Sequence, residues 1–135
     1  MFWIIIMVII KMAKILIVDD DSQLRTMLKQ LLEGNNYDVI DSGDGEEALR
    51  ILKKDKFNLI ITDLIMPEKD GMSLILELRR DYPEMQIIAI SGGARHIDPQ
   101  NPLQIAKKLG AQYTLTKPFK LSELLEAVRK LVGEN

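Results

Sequence analysis

The sequence predicts an α/β protein, a doubly wound parallel sheet with helices on both faces. Five short, β-branched-rich apolar runs alternate with amphipathic stretches at helical spacing. Strict alternation of this kind gives parallel strands, since each return crossover is most simply a helix. The polar residues support the same reading. They gather where the runs stop, and an open parallel sheet keeps its site outside the carboxyl ends of its strands.

Ile15–Val18 is the first strand, and Leu24, Met27, Leu28, Leu31 and Leu32 mark the apolar stripe of the helix after it. Gly34-Asn35-Asn36 breaks that helix before a second strand at Tyr37–Ile40. Beyond Gly43, Ala48, Leu49, Ile51 and Leu52 keep helical spacing. Leu59–Thr62 is the third strand, and Leu74, Ile75 and Leu78 mark the third helix, which ends near Pro83. Ile87–Ile90 is the fourth strand. A long turn, Ser91–Pro102, leads to a shorter helix with Ile105, Ala106 and Leu109. Tyr113–Thr116 is the fifth strand, and Leu121, Leu124, Leu125, Val128, Leu131 and Val132 mark a fifth helix. No linker or low-complexity tract interrupts this series, so residues 12–135 read as one domain.

Composition removes several function classes. With no cysteine, there is no disulfide framework, thiolate zinc site or cysteine nucleophile. The one histidine, His96, excludes multi-histidine metal sites and argues against a Ser-His-Asp hydrolase. It is read as an exposed spectator. Eighteen Lys and Arg against 20 Asp and Glu give a net charge of −2, which argues against a strongly basic nucleic-acid surface. Aromatic residues, at 5%, are too few for a base-stacking platform.

Residues 1–11 form a separate apolar extension. As a helix, Met1–Ile10 would span about 15 Å, half a bilayer core, and Lys11 and Lys14 interrupt any continuation. The segment lacks the charged start and small-residue cleavage site of a secretory signal. Its β-branched run favours an extended strand. Met12 opens a segment that reads as a natural chain start, so the extension is read first as an upstream or added sequence without function. An extra strand, on this domain or on a second copy in a homodimer, is the next reading. A membrane anchor is disfavoured.

The first strand ends in Asp19-Asp20-Asp21 and the third in Asp63. In a doubly wound sheet these two strands are neighbours, so Asp19, Asp20 and Asp63 converge. Such a pocket needs a cation or a proton, and hard oxygen ligands suit Mg2+. Asp21 is better read as charge at a helix start. Ser91-Gly92-Gly93 ends the fourth strand with a hydroxyl and room for close approach to the backbone. Lys117-Pro118 ends the fifth, where a lysine would pair with the acids or with a phosphoryl oxygen. Taken singly, these are a plain turn and a solvated lysine. Together they suit a carboxylate attacking a phosphoryl group, with a metal and a lysine neutralising its oxygens.

These segments, KILIVDDD (14–21), LIITDLIMPEKDG (59–71), IIAISGG (87–93) and LTKPF (115–119), resemble the response-regulator receiver domains of the CheY-like type. The resemblance runs from about Met12 to Val132. It implies a flavodoxin-like sheet of order 2-1-3-4-5 with five helices. It implies that Asp63 accepts a phosphoryl group from a histidine kinase or a histidine phosphotransfer protein. Asp20 would then hold Mg2+ directly, with Asp63 and the backbone carbonyl of Ile65, and Asp19 would hold it mostly through water. Ser91 and Lys117 would meet the phosphoryl oxygens, and Asp70-Gly71 would close the adjoining loop. Such a chain is a switch in a two-component phosphorelay, catalysing only its own phosphorylation and dephosphorylation. It would be cytoplasmic and act on a downstream protein target. Because the chain ends soon after the last helix, it reads as a stand-alone regulator.

Three features depart from the family pattern. The position three before Lys117, often aromatic in receivers, is Thr114, with Tyr113 one residue earlier. Strand alternation places those two on opposite faces. Ile65 offers no polar side chain to an attacking water, so the phosphoryl group should be somewhat shielded from hydrolysis. The Ser91–Pro102 turn is long and carries Arg95, His96 and Asp98 where receivers meet partners. A haloacid-dehalogenase-type phosphatase would want a second aspartate where Ile65 stands. A flavodoxin-type cofactor binder would want a hydroxyl- and glycine-rich loop in place of Asp19-Asp20-Asp21. The remaining alternative is a receiver-fold dimerisation or interaction module that works without phosphorylation.

Overall fold

The computed structural model describes residues 12–64, 71–92 and 102–133. Its elements run β1 (Lys14–Val18), α1 (Ser22–Gly34), β2 (Asp38–Ser42), α2 (Gly45–Lys54), β3 (Leu59–Asp63), α3 (Gly71–Asp81), β4 (Gln86–Ser91), α4 (Pro102–Lys108), β5 (Tyr113–Thr116) and α5 (Leu121–Val132). All neighbouring strands pair in parallel, in the order β2-β1-β3-β4-β5. The doubly wound sheet expected from the alternation is therefore present. Residues 1–11 lie outside the described residues, and so do Ile65, Asp70 and the Arg95–Asp98 part of the long turn.

Side chains alternating along each strand divide the interior in two. Ile15, Ile17, Leu59, Ile61, Ile88 and Ile90 face α1 and α5, where Leu28, Leu32, Leu124 and Val128 cover them. Leu16, Val18, Ile60, Ile87 and Ala89 face the other way, against Ala48 and Leu52 of α2, Leu74, Ile75 and Leu78 of α3, and Ala106 of α4. The helical stripes read from the sequence thus become the two covers. Each fully buried Leu or Ile contributes about 1.5–3 kcal/mol relative to its exposed state.

The second strand begins and ends later than the apolar pattern suggests, because pairing sets its limits. Lys14 is level with Asp38 and Val18 with Ser42, which extends β2 through two polar residues. Tyr37 instead closes the turn after α1. Its amide donates to the Leu32 carbonyl at 3.1 Å, and its hydroxyl donates to the Gly133 carbonyl at the far end of α5. β3 and β4 each run one residue further than their apolar cores and so include Asp63 and Ser91. α4 opens on Pro102, whose missing N–H is no loss at a first helical position.

Candidate functional site

The register of β1 on β3 pairs Val18 with Thr62, so the next residues along the two strands are Asp19 and Asp63. Both carboxylates sit at the carboxyl edge of the sheet and are nearly sealed, at 1% and 6% exposure. Asp20 is exposed beside them. One oxygen from each of Asp19, Asp20 and Asp63 falls within 4.8 Å of the others. Buried carboxylates this close repel, and a cation between them relieves the repulsion.

Lys117 supplies that cation. Its Nζ lies 3.1 Å from Asp63 Oδ2 and 3.2 Å from Asp19 Oδ2. The Lys117 amide donates to the Ser91 carbonyl at 2.8 Å, which fixes the lysine to the end of β4. The Lys117-Pro118 peptide is cis. Burial alone would lower the Lys117 ammonium, but its contacts with Asp63 and Asp19 outweigh that and raise it above its ordinary value. Burial also raises the Asp19 carboxyl; the Asp21 amide lowers it, and Asp63 pushes it up further against the pull of Lys117. Asp19 is thus a carboxylate held at a cost, poised to gain from a second cation.

Backbone contacts fix these groups. The Asp19 amide donates to the Ser42 carbonyl at 3.2 Å, and the Asp21 amide donates to Asp19 Oδ1 at 2.9 Å. Asp21 caps α1, accepting from the amides of Gln23 and Leu24 at 3.0 and 3.2 Å. It therefore belongs to the helix and not to the acidic cluster, as its position suggested. At the end of β3, the Leu64 amide donates to the Ile90 carbonyl at 2.9 Å. The Gly71 amide donates back to the Leu64 carbonyl at 3.0 Å, so α3 starts directly against the strand end. A Cβ at Gly71 would fall 2.1 Å from the Asp63 carbonyl oxygen, a contact only glycine avoids.

One residue escaped the sequence reading. Arg25 of α1 donates to the Asp19 carbonyl at 2.6 Å and to Asp41 Oδ2 at 2.9 Å. Its guanidinium passes within 3.3 Å of where a Gly43 Cβ would stand. An arginine one turn into a helix carries no signal of this in sequence; only the β1–β2 pairing brings Asp41 and Gly43 beside it.

Asp19, Asp20, Asp63 and Lys117 are therefore brought together, and Ser91 is buried at the adjoining strand end. Ile65 lies outside the described residues. One lysine thus bridges a buried acid pair at the carboxyl edge of a 2-1-3-4-5 sheet. The response regulator receiver domain profile matches residues 15–129.

The chain belongs to this receiver-domain family.

The receiver domain is 37% identical, over 121 residues, to a probable transcriptional regulator ycf27 of Porphyridium aerugineum, covering 88% of this chain and 48% of that protein. The chain spans about half the length of the curated relatives it matches. Among solved structures, the receiver domain of the Francisella response regulator 1452 is 32% identical with a TM-score of 0.79, covering 89% of this chain and 96% of that one. The response regulator TrrA of Thermotoga maritima, solved in complex with Mg(2+)-BeF, is 29% identical with a TM-score of 0.77, covering 89% and 99%.

At the fifth strand this receiver domain departs from the usual pattern as its sequence suggested. Tyr113 is level with Ile88 and packs on the α1/α5 side, whereas Thr114 is level with Ala89 on the opposite face. Tyr113 therefore does not stand in for an aromatic at position 114. Among the described residues no helix is long and apolar enough to cross a membrane.

Proposed function

We propose that this chain is a phosphorylation-operated switch of a two-component system, with Asp63 as the phosphoacceptor. The observation that carries the reading is Lys117 bridging Asp63 and Asp19 at 3.1 and 3.2 Å. In the transfer, an Asp63 carboxylate oxygen bonds to phosphorus as the bond from phosphorus to the donor's imidazole nitrogen breaks. Lys117 lies where it can follow a phosphoryl oxygen, and Ser91 is the hydroxyl on the neighbouring strand. The donor is a phosphorylated histidine kinase or phosphotransfer protein, and output passes to a downstream protein. We assign this portion no nucleic-acid contact of its own, and a cytoplasmic setting goes with the reading.

The donor set fits Mg2+. In an octahedral shell with bonds of about 2.0–2.1 Å, ligand oxygens lie about 3–4 Å apart. The three carboxylate oxygens, within 4.8 Å of one another, need to close by at most about 2 Å to meet that. Asp19, Asp20 and Asp63 would hold the ion, joined by the Ile65 carbonyl from outside the described residues. Bound there, Mg2+ supplies positive charge against the phosphoryl oxygens. The chain thereby assists its own phosphorylation, and the same pocket governs hydrolysis. Residues 12–135 are taken as the switch domain and residues 1–11 as an extension to it.

Intact mass after incubation with Mg2+ and acetyl phosphate tests the reading. The expected result is a gain of one phosphoryl group, about 80 Da, by the native chain and none by Asp63→Asn. A native chain that stays unmodified with this donor and with a phosphorylated histidine kinase, yet binds Mg2+, would mean an interaction module without the switch.

A further inference from the structure

At the end of the domain opposite the carboxylates lies an open cleft of about 780 Å3. That is within the roughly 300–1,000 Å3 of clefts that hold ligands. Leu52 and Phe57, around the α2–β3 connection, form one wall, and Tyr82, Pro83 and Met85, between α3 and β4, form the other. No step of the proposed phosphoryl transfer uses this cleft.

Both walls are fixed before anything binds. Arg79 of α3 donates to the Pro83 carbonyl at 2.9 Å and also to the Met85 carbonyl. The Met85 amide donates to the Tyr82 carbonyl at 3.0 Å, and the Tyr82 amide to the Leu78 carbonyl at 2.7 Å. Across the cleft, the Lys14 amide donates to Asn58 Oδ1 at 2.7 Å, and the Asn58 amide donates back to the Lys14 carbonyl at 2.8 Å. Connections held in this way have little freedom left to lose when a ligand arrives.

We propose that the cleft docks an acidic segment of a partner protein, anchored by an apolar side chain. Charge sets the class of partner. Lys53, Lys54 and Lys56 line the cleft and are exposed, and no carboxylate among the described residues pairs with any of them. Two nearby acids are already engaged. Asp55 pairs with Lys14, and Asp81, which feels Lys53, pairs with Arg80. Glu84 and the roughly half negative charge at the carboxyl end of α2 leave about one and a half positive charges unmatched. Between these charges the lining is apolar. Leu52 and Met85 are buried, and Phe57 and Tyr82 are half-buried, so a side chain entering between them leaves water. Carboxylates flanking that anchor then meet the lysines at the rim. A flat anionic bilayer would match the charge but not the concavity.

The probe is a fluorescein-labelled peptide of glutamates around a central leucine–phenylalanine pair, titrated by anisotropy into the full chain. Saturable binding is expected, weaker as salt rises. It should fall about tenfold when Lys53→Gln, Lys54→Gln and Lys56→Gln are combined, since each exposed pair contributes little alone. Serines in place of the probe's leucine and phenylalanine should weaken it comparably. The three lysines are exposed and outside the acidic site, so the variant should keep its thermal melt and its phosphoryl gain from acetyl phosphate. Amide NMR shifts on binding should cluster at residues 52–57 and 82–85. No saturable binding would overturn the proposal, as would binding that the triple substitution leaves unchanged. So would equal binding of a probe with lysines for its glutamates. Lysine-dependent binding to phosphatidylglycerol vesicles, without binding of the peptide, would overturn it in favour of a lipid surface.

Discussion

Replacing Gly71 by alanine adds one methyl group at the point where α3 abuts the strand carrying Asp63. The new Cβ would lie 2.1 Å from the Asp63 carbonyl oxygen, 2.6 Å from Leu64 Cα and 2.9 Å from the Asp63 carbonyl carbon. Comfortable contacts start near ~3.5 Å, so the helix start must retreat by about 1.4 Å. All three obstacles are backbone, and no rotamer change relieves them. Overpacking typically costs about 1–3 kcal/mol, and the rigid surroundings place this change at or above the upper end. For a domain of this size a loss of 3 kcal/mol lowers the melting temperature by roughly 10 °C. The carboxylate is also displaced, and a misplacement of about 1 Å can slow a reaction ~100-fold. Gly34→Ala is the control, because a Cβ there meets nothing within 4 Å. At the end of α1 it should be neutral or stabilising by about 0.5–1 kcal/mol. Thermal melts and the rate of phosphoryl gain from acetyl phosphate read both effects. A Gly71→Ala chain with native melting temperature and native rate would refute the reasoning.

Mg2+ should stabilise the chain by about 1.4 kcal/mol at ten times its dissociation constant, a melting shift of roughly 5 °C. That shift should shrink on acidification, because Asp19, raised by burial, takes up a proton where the metal needs a carboxylate. The sign for the metal-free chain is opposite. A carboxyl raised in the folded state favours folding below its unfolded value and loses that contribution as pH rises through the folded one, so acidification into that range should stabilise. Melts at several pH values, with Mg2+ and with chelator, check both. Lys117→Met leaves Asp19 and Asp63 facing each other. It should cost about 2 kcal/mol, less than the ~3–5 of a fully buried pair because Lys117 keeps 27% side-chain exposure, and Mg2+ should recover part of it in denaturant titrations. Arg25→Ala removes the donors to the Asp19 carbonyl and to Asp41, and should cost about 1–3 kcal/mol with a weaker Mg2+ affinity by calorimetry.

The alternation of β-branched runs with helical stripes was legible because both faces of this sheet are covered, which demands continuous apolar strands. Asp19, Asp63, Ser91 and Lys117 were legible for a related reason: they end strands, and parallel topology sends all those ends to one edge. What escaped depends on register. The true span of β2 follows from Lys14 standing level with Asp38, and no local propensity favours a strand through Asp41 and Ser42. Arg25 acts through a carbonyl and through a residue that only that pairing brings near. Tyr37 reads as strand by composition, yet its hydroxyl reaches Gly133, 96 positions later. Contacts of that sequence separation leave no periodic trace.

The sheet that separates the two apolar compartments also separates their energetics. Among the described residues no side chain belongs to both clusters, so a substitution behind Leu28 and one behind Leu74 draw on different neighbours. Their costs should sum to within about 0.3–0.5 kcal/mol, as independent sites do. Along the carboxyl edge that independence ends. Arg25 reaches the edge from one cover and Gly71 from the other, and both bear on the strand ends that hold Asp19 and Asp63. Non-additivity between Arg25 and Gly71 variants, set against additivity between the cores, would map the strip through which the two halves of the molecule sense each other.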